Sequence, residues 1–205
     1  MQDWIFLAVA LTALLAAMSP GPDYVLVTRS ALFQSRRAGY LTALGVTAGL
    51  AIHVSYALIG FTAVIKESPM LYGIIQYLGA AYLTYLGIRL IVEAKSVSRD
   101  PSVSTNPKRK TSSPFIAGFF CNLLNPKASL FILSLYTQVI SATSTIWTEI
   151  IIGLEIIFVT FGWFMLLTSL YTHPRIREKC IRAQKPLTFI MGFILIGFGI
   201  KIAFF

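Results

Sequence analysis

Ser19-Pro20-Gly21-Pro22-Asp23 and Asn122-Leu123-Leu124-Asn125-Pro126-Lys127 interrupt two long apolar segments, one in each half of the chain. Pro20, Pro22 and Pro126 remove backbone donors and break a helix. Hydrocarbon cannot hydrogen-bond the N–H and C=O groups this frees. A broken helix at membrane depth therefore needs protein or a water-filled cavity to satisfy them. Each break also carries an ionisable side chain, Asp23 in one and Lys127 in the other. Two charged breaks at membrane depth point to a translocation site.

The composition agrees. Apolar residues make up 56% of the 205 and charged residues 12%, with a mean hydropathy of +0.75; soluble domains carry about 25% charged residues. Six segments approach or exceed the roughly 20 apolar residues that cross a bilayer: 4–33 (interrupted), 40–65, 70–92, 115–140 (interrupted), 146–171 and 186–205. The expected fold is an all-α integral membrane protein of six transmembrane helices, with helices 1 and 4 broken. Nearly all of 1–205 is used, which leaves a single polytopic membrane domain. The start, Met1-Gln2-Asp3-Trp4, lacks the basic n-region of a signal peptide and reads as a retained helix.

Basic residues set the orientation. Arg29, Arg36 and Arg37 follow helix 1; Arg89, Lys95, Arg99, Lys108, Arg109 and Lys110 follow helix 3; Arg175, Arg177, Lys179, Arg182 and Lys185 follow helix 5. Only Lys66 lies in an opposite loop, with Lys127 inside a span and Lys201 near the end. Cytoplasmic loops carry such an excess, so the basic side faces in and both termini face the periplasm. The net charge of +9 thus calls for no nucleic acid.

Residues 96–113 are polar and Pro-containing, too poor in apolar side chains to bury a core, and read as a disordered cytoplasmic linker. They divide the chain into three-helix halves, 1–95 and 114–205. An odd number of spans per half makes the halves enter from opposite faces, the topology of an inverted repeat. Helix 1 breaks after about 15 residues, roughly 22 Å down, and helix 4 after about 7, roughly 10 Å up. Those depths sum to about one hydrocarbon thickness of ~30 Å, so the breaks fall at a similar level.

Further landmarks run the length of the chain in order: Gly49-Leu50-Ala51-Ile52-His53, Gly79-Ala80-Ala81-Tyr82-Leu83-Thr84-Tyr85-Leu86-Gly87, and Gly192…Gly197-Phe198-Gly199-Ile200. With the two broken motifs they make the chain similar to the LysE/RhtB family of bacterial amino-acid exporters. Asp23 in the first motif and Glu155 in helix 5 resemble the family's threonine-exporter branch. Tyr136-Thr137-Gln138 departs from it, since family members often carry a Pro-Gln-Phe-like element there. The resemblance implies a multi-pass protein of the bacterial inner membrane, not an enzyme and without cofactor. It would export threonine- or homoserine-like or related small amino acids, driven by protons through alternating access.

The residues lead to a similar place. A broken helix offers N–H groups at a positive dipole end, suited to a carboxylate, and free carbonyls suited to an ammonium. Ser19, Gly21, Asp23, Asn122, Asn125 and Lys127 are the candidate substrate-binding residues, with Asp23 toward the ammonium and Lys127 toward the carboxylate. Asp23, Glu155 and His53 are candidates for proton coupling, because a carboxylate in a span needs a partner or a proton.

Blander readings compete. The prolines serve packing kinks, Asp23 and Lys127 form a structural ion pair, and His53 is a hydrogen-bonded core histidine. Gly45…Gly49 is a GxxxG spacing that marks close helix contact, within one chain or in a homo-oligomer. A divalent-metal exporter would draw on Asp23, His53, Glu155 and Cys121, with Lys127 opposing a cation. A thiol redox conduit needs two cysteines together, and Cys121 and Cys180 lie in different segments. For an intramembrane hydrolase no Ser/His/Asp spacing stands out, and His173 sits at the cytoplasmic edge. The orientation is directly testable: in intact cells, a single cysteine at position 105 should resist labelling from outside, and labelling there would reverse the topology.

Overall fold

The computed structural model describes residues 2–67, 69–96, 113–140 and 144–204. Among them run eight α-helices: α1 Gln2–Met18, α2 Pro22–Phe33, α3 Arg36–Glu67, α4 Pro69–Ser96, α5 Pro114–Leu123, α6 Pro126–Val139, α7 Ile146–Thr172 and α8 Arg177–Phe204. The two polar motifs are the α1–α2 and α5–α6 junctions. The axes turn by 63° at the first and 57° at the second.

The prolines act as helix starts as much as helix stops. Pro22 and Pro126 occupy the first turn of α2 and α6, where a missing N–H leaves no intrahelical bond unmade. Asn125 caps α6, its side chain accepting from the Lys127 backbone N–H, while Gly21 caps α2 without a side-chain bond.

By length and apolarity α3 (over Arg36–Gly60) and α7 can each cross a membrane. Three bent pairs also qualify: α1 with α2, α5 with α6, and the two parts of α8, Arg177–Ala183 and Lys185–Gly197, bent by 42°. The third expected helix falls in α4, where Tyr77–Val92 is an apolar helical stretch among the described residues. The helical membrane fold with its two broken helices stands, but six spans do not follow from the described residues. The basic stretch expected as a loop after helix 5 is largely the start of α8, with Arg182 and Glu178 paired one turn apart at 3.6 Å. Pro186 lies inside that helix, where proline bends rather than ends it. The expected linker lies almost wholly outside the described residues.

Small residues fix the helix packing. A Cβ on Gly45 would lie 2.0 Å from the Phe115 carbonyl oxygen, and one on Gly118 would lie 2.2 Å from that of Thr42. The α3 and α5 backbones therefore touch directly, and the GxxxG spacing is a contact within the chain. Gly87 and Gly192 do the same for α4 and α8. On α7 the inward stripe includes Gly153, Ile156, Thr160 and Phe164, whereas Phe158 and Leu166 are exposed. Large apolar side chains cover the outward face, as lipid requires, while the small and polar residues of α7 lie with other apolar ones on the inward face.

Two buried apolar clusters result. One includes Val9, Leu50, Leu135 and Ile152 and reaches Ile140 at the end of α6. The other joins Tyr24, Val46, Phe164 and Tyr171, with Cys180 against it, at the basic end. Two glycines should respond in opposite ways: Gly45→Ala should lower the melting temperature in detergent by several degrees, because backbone has to move. Gly60→Ala, with nothing within 4 Å, should hold or raise it, since alanine favours helix over glycine by about 1 kcal/mol.

Candidate functional site

Between these clusters lies a cavity with about 560 Å³ of empty space, part of it open to the outside. Its polar lining consists largely of the two junctions: Ser19, Gly21, Asp23, Asn122, Asn125 and Lys127 all face it. The structure brings all six candidate binding residues together. The similar depths inferred for the breaks correspond to direct contact between them.

Four side-chain hydrogen bonds cross from one junction to the other. Asn122 Nδ2 donates to Asp23 Oδ2 at 3.0 Å, and Asn125 Nδ2 donates to the same oxygen at 2.9 Å. The Lys127 ammonium donates to Ser19 Oγ at 2.6 Å and to the Pro20 carbonyl at 2.8 Å. Ser19 in turn donates to the Ala16 carbonyl in the last turn of α1. Carbonyls freed at the break are thus satisfied by a hydroxyl and a cation. Gly21 bears on closeness, not on backbone freedom: its φ of −179° is extended, and a Cβ there would sit 3.1 Å from Lys127 Nζ, so the ammonium would have to shift slightly.

Not every polar atom is satisfied. Asp23 Oδ1 and Asn122 Oδ1 are buried and have no hydrogen-bond partner. Both belong to residues that line the cavity, and both are pure acceptors. At α2 the absence of a side-chain cap leaves the first-turn N–H groups open beside Lys127. One cavity therefore presents unpaired acceptors together with a cation and a helix N-terminus.

His53 and Glu155 do not line it. His53 is buried, and both ring nitrogens are occupied: Nε2 bonds the Asn122 carbonyl at 2.9 Å and Nδ1 bonds the Tyr56 hydroxyl, which continues to Ser129 Oγ. A carbonyl only accepts, so Nε2 carries the proton. His53 thereby holds the α5 end of the junction from α3. Glu155 sits one residue before the lining residue Ile156, with Oε2 buried and unpartnered.

Tyr24, Thr160 and the apolar wall of Leu50, Phe131, Ile156 and Phe164 complete the cavity. Sequence reasoning missed them. Ile156, Thr160 and Phe164 are four residues apart, so they share one helix face, but that spacing is equally the signature of ordinary packing. Among the described residues no three His, Cys, Asp or Glu side chains gather as a metal site. Cys121 and Cys180 are both free thiols. Asn125 does two jobs, so Asn125→Ala should destabilise more than a cap alone, by about 2–3 kcal/mol from a lost cap and a lost bond to a carboxylate. Asn125→Asp keeps the cap but loses the donor; unfolding in detergent should rank wild type above both.

The chain matches the LysE type translocator family over residues 14–204. It is 33% identical to the uncharacterized membrane protein YrhP of Bacillus subtilis (strain 168) over 196 residues, covering 92% of this chain and 93% of that one. It is 30% identical over 205 residues to the threonine efflux protein of Escherichia coli (strain K12), covering 97% of each. The threonine efflux protein of Salmonella typhimurium (strain LT2) is 28% identical over the same length. No solved structure is a significant match.

Proposed function

The chain belongs to the LysE type translocator family, and on that premise we propose that it exports small amino acids of the threonine type, bound as zwitterions between the two helix junctions. One observation carries the reading: unpaired acceptors on Asp23 and Asn122 share a cavity with the Lys127 ammonium. A substrate ammonium has three donors and no acceptor, which suits Asp23 Oδ1 and Asn122 Oδ1. Its carboxylate suits Lys127 and the open N-terminus of α2. The name of the Escherichia coli relative supports the substrate class.

Movement follows from how the cavity is closed. Buried apolar clusters flank it toward the end of α6 and toward the basic end. Opening one while the other stays packed gives alternating access. The helix contacts support two inverted halves: exchanging the halves turns α1–α7 into α5–α3 and α2–α7 into α6–α3, and all four pairs touch. The α3–α7 and α4–α8 contacts map onto themselves. The α2–α3 and α4–α6 contacts lack counterparts of like extent, an asymmetry that belongs to one state of a rocking cycle. The excess of basic residues expected on one side supports a reading with both termini in the periplasm of an inner membrane.

Protons supply the drive in this reading. Glu155 is the coupling residue, because it is a carboxylate on α7 with a buried, unpaired oxygen, one residue before the lining residue Ile156. His53 has both nitrogens committed and serves to hold Asn122. In proteoliposomes, Asp23→Asn and Lys127→Met should each cut threonine transport at least tenfold while the protein still inserts. Glu155→Gln should keep threonine exchange but lose acceleration by a pH gradient. Normal transport by the Asp23→Asn/Lys127→Met double variant would remove both residues from the site, and gradient-independent transport by the wild type would remove the proton.

A further inference from the structure

Three hydroxyl-bearing side chains line the cavity: Ser19, Tyr24 and Thr160. Two are engaged. Ser19 Oγ donates to the Ala16 carbonyl and accepts from Lys127, and the Tyr24 hydroxyl is bonded to that of Tyr171 at 2.8 Å. Thr160 makes no hydrogen bond among the described residues, although only 7% of it is exposed.

That is unusual for this chain. A threonine inside a helix ordinarily returns its hydroxyl to the carbonyl one turn back. Thr12, Thr42, Thr47, Thr84 and Thr172 all do so, at 2.6 to 3.0 Å. Thr28 and Thr168 have unpartnered hydroxyls too, but these are sealed within the packing. The Thr160 hydroxyl is not among the sealed atoms, and its residue lines the cavity. Its neighbours on that face of α7, Ile156 and Phe164, are apolar, as are Phe131 and Ile132 from α6.

We propose that Thr160 is the specificity-determining residue of the cavity, its hydroxyl pairing with a hydroxyl on the side chain of the transported amino acid. This rests on the zwitterion reading above, which fixes the substrate by its two charged ends and leaves its side chain to the α7 wall. An uncharged side chain of a few carbons fits an apolar wall. A hydroxyl on it would find in Thr160 both a donor and an acceptor. An apolar side chain of the same shape would fill the space and forgo that bond. A charged one would find no opposite charge on this wall.

Threonine and valine differ by a hydroxyl against a methyl at nearly equal volume, so they isolate the term. Exchange of each is measured in proteoliposomes for wild type, Thr160→Val and Thr160→Ser, recording half-saturation and maximal rate separately. One neutral hydrogen bond corresponds to about tenfold in affinity, so wild type should favour threonine by about that factor. Thr160→Val should raise half-saturation for threonine about tenfold, leave valine unchanged or improved, and keep the maximal rate. Thr160→Ser should retain the preference. Equal losses for both amino acids in Thr160→Val, or an undiminished preference, would overturn the proposal while leaving export intact. A wild-type protein that carries neither amino acid would overturn the export reading itself and this proposal with it.

Discussion

No backbone N–H or C=O can be left bare in hydrocarbon, and the architecture depends on how that constraint is met at two broken helices. The first junction is repaired by the second, and the second by α3. The Pro20 carbonyl takes a proton donor from Lys127, and the Asn122 carbonyl takes one from His53 on α3. Asn125 caps its own helix and also reaches Asp23 across the gap. An isolated break would cost several kcal/mol per unsatisfied group. Two breaks that face each other offset that cost with the same side chains that make a polar cavity.

The arrangement is incomplete at Asp23 and Asn122. Asp23 Oδ2 accepts two amide donors, whereas Oδ1 has none. A carboxylate at membrane depth with one oxygen unpaired is expensive to hold. A ligand that brings an ammonium removes that expense when it binds. Lys127 plays the complementary part, its ammonium pinned over Gly21 where any side chain would crowd it. Asp23 Oδ2 accepts from the Asn122 and Asn125 amides, and Lys127 donates to Ser19 Oγ and the Pro20 carbonyl, so bonds of both groups cross between the junctions. Tight helix contacts at Gly45, Gly118 and Gly87 supply the rigid frame against which the junctions are held.

Much of this was legible because the signals are strong and local. Prolines within apolar runs locate the breaks, and Asp23, Asn122, Asn125 and Lys127 are polar where polarity is costly. The resemblance to a translocator family followed from the same residues. Other features were not legible for identifiable reasons. The basic stretch before Pro186 reads as a loop in sequence, and only the structure shows it as the first part of a bent helix. Thr160 is one of many threonines in spans, and it is distinguished only by an unpartnered, unsealed hydroxyl on a residue that lines the cavity. His53 and Glu155 look alike in sequence as buried ionisable groups. The structure separates them, since one has both nitrogens bonded and the other keeps an unpaired oxygen.

The central claim is that one cavity grips an amino acid by both of its charged ends. Equilibrium binding of threonine, its N-acetyl derivative and its methyl ester to the purified protein tests this most directly, because each derivative cancels one end and leaves the side chain alone. The account predicts that threonine binds and that each blocked form loses at least tenfold in affinity, the N-acetyl form through Asp23 and the ester through Lys127. Blocked forms that bind as tightly as threonine would contradict it.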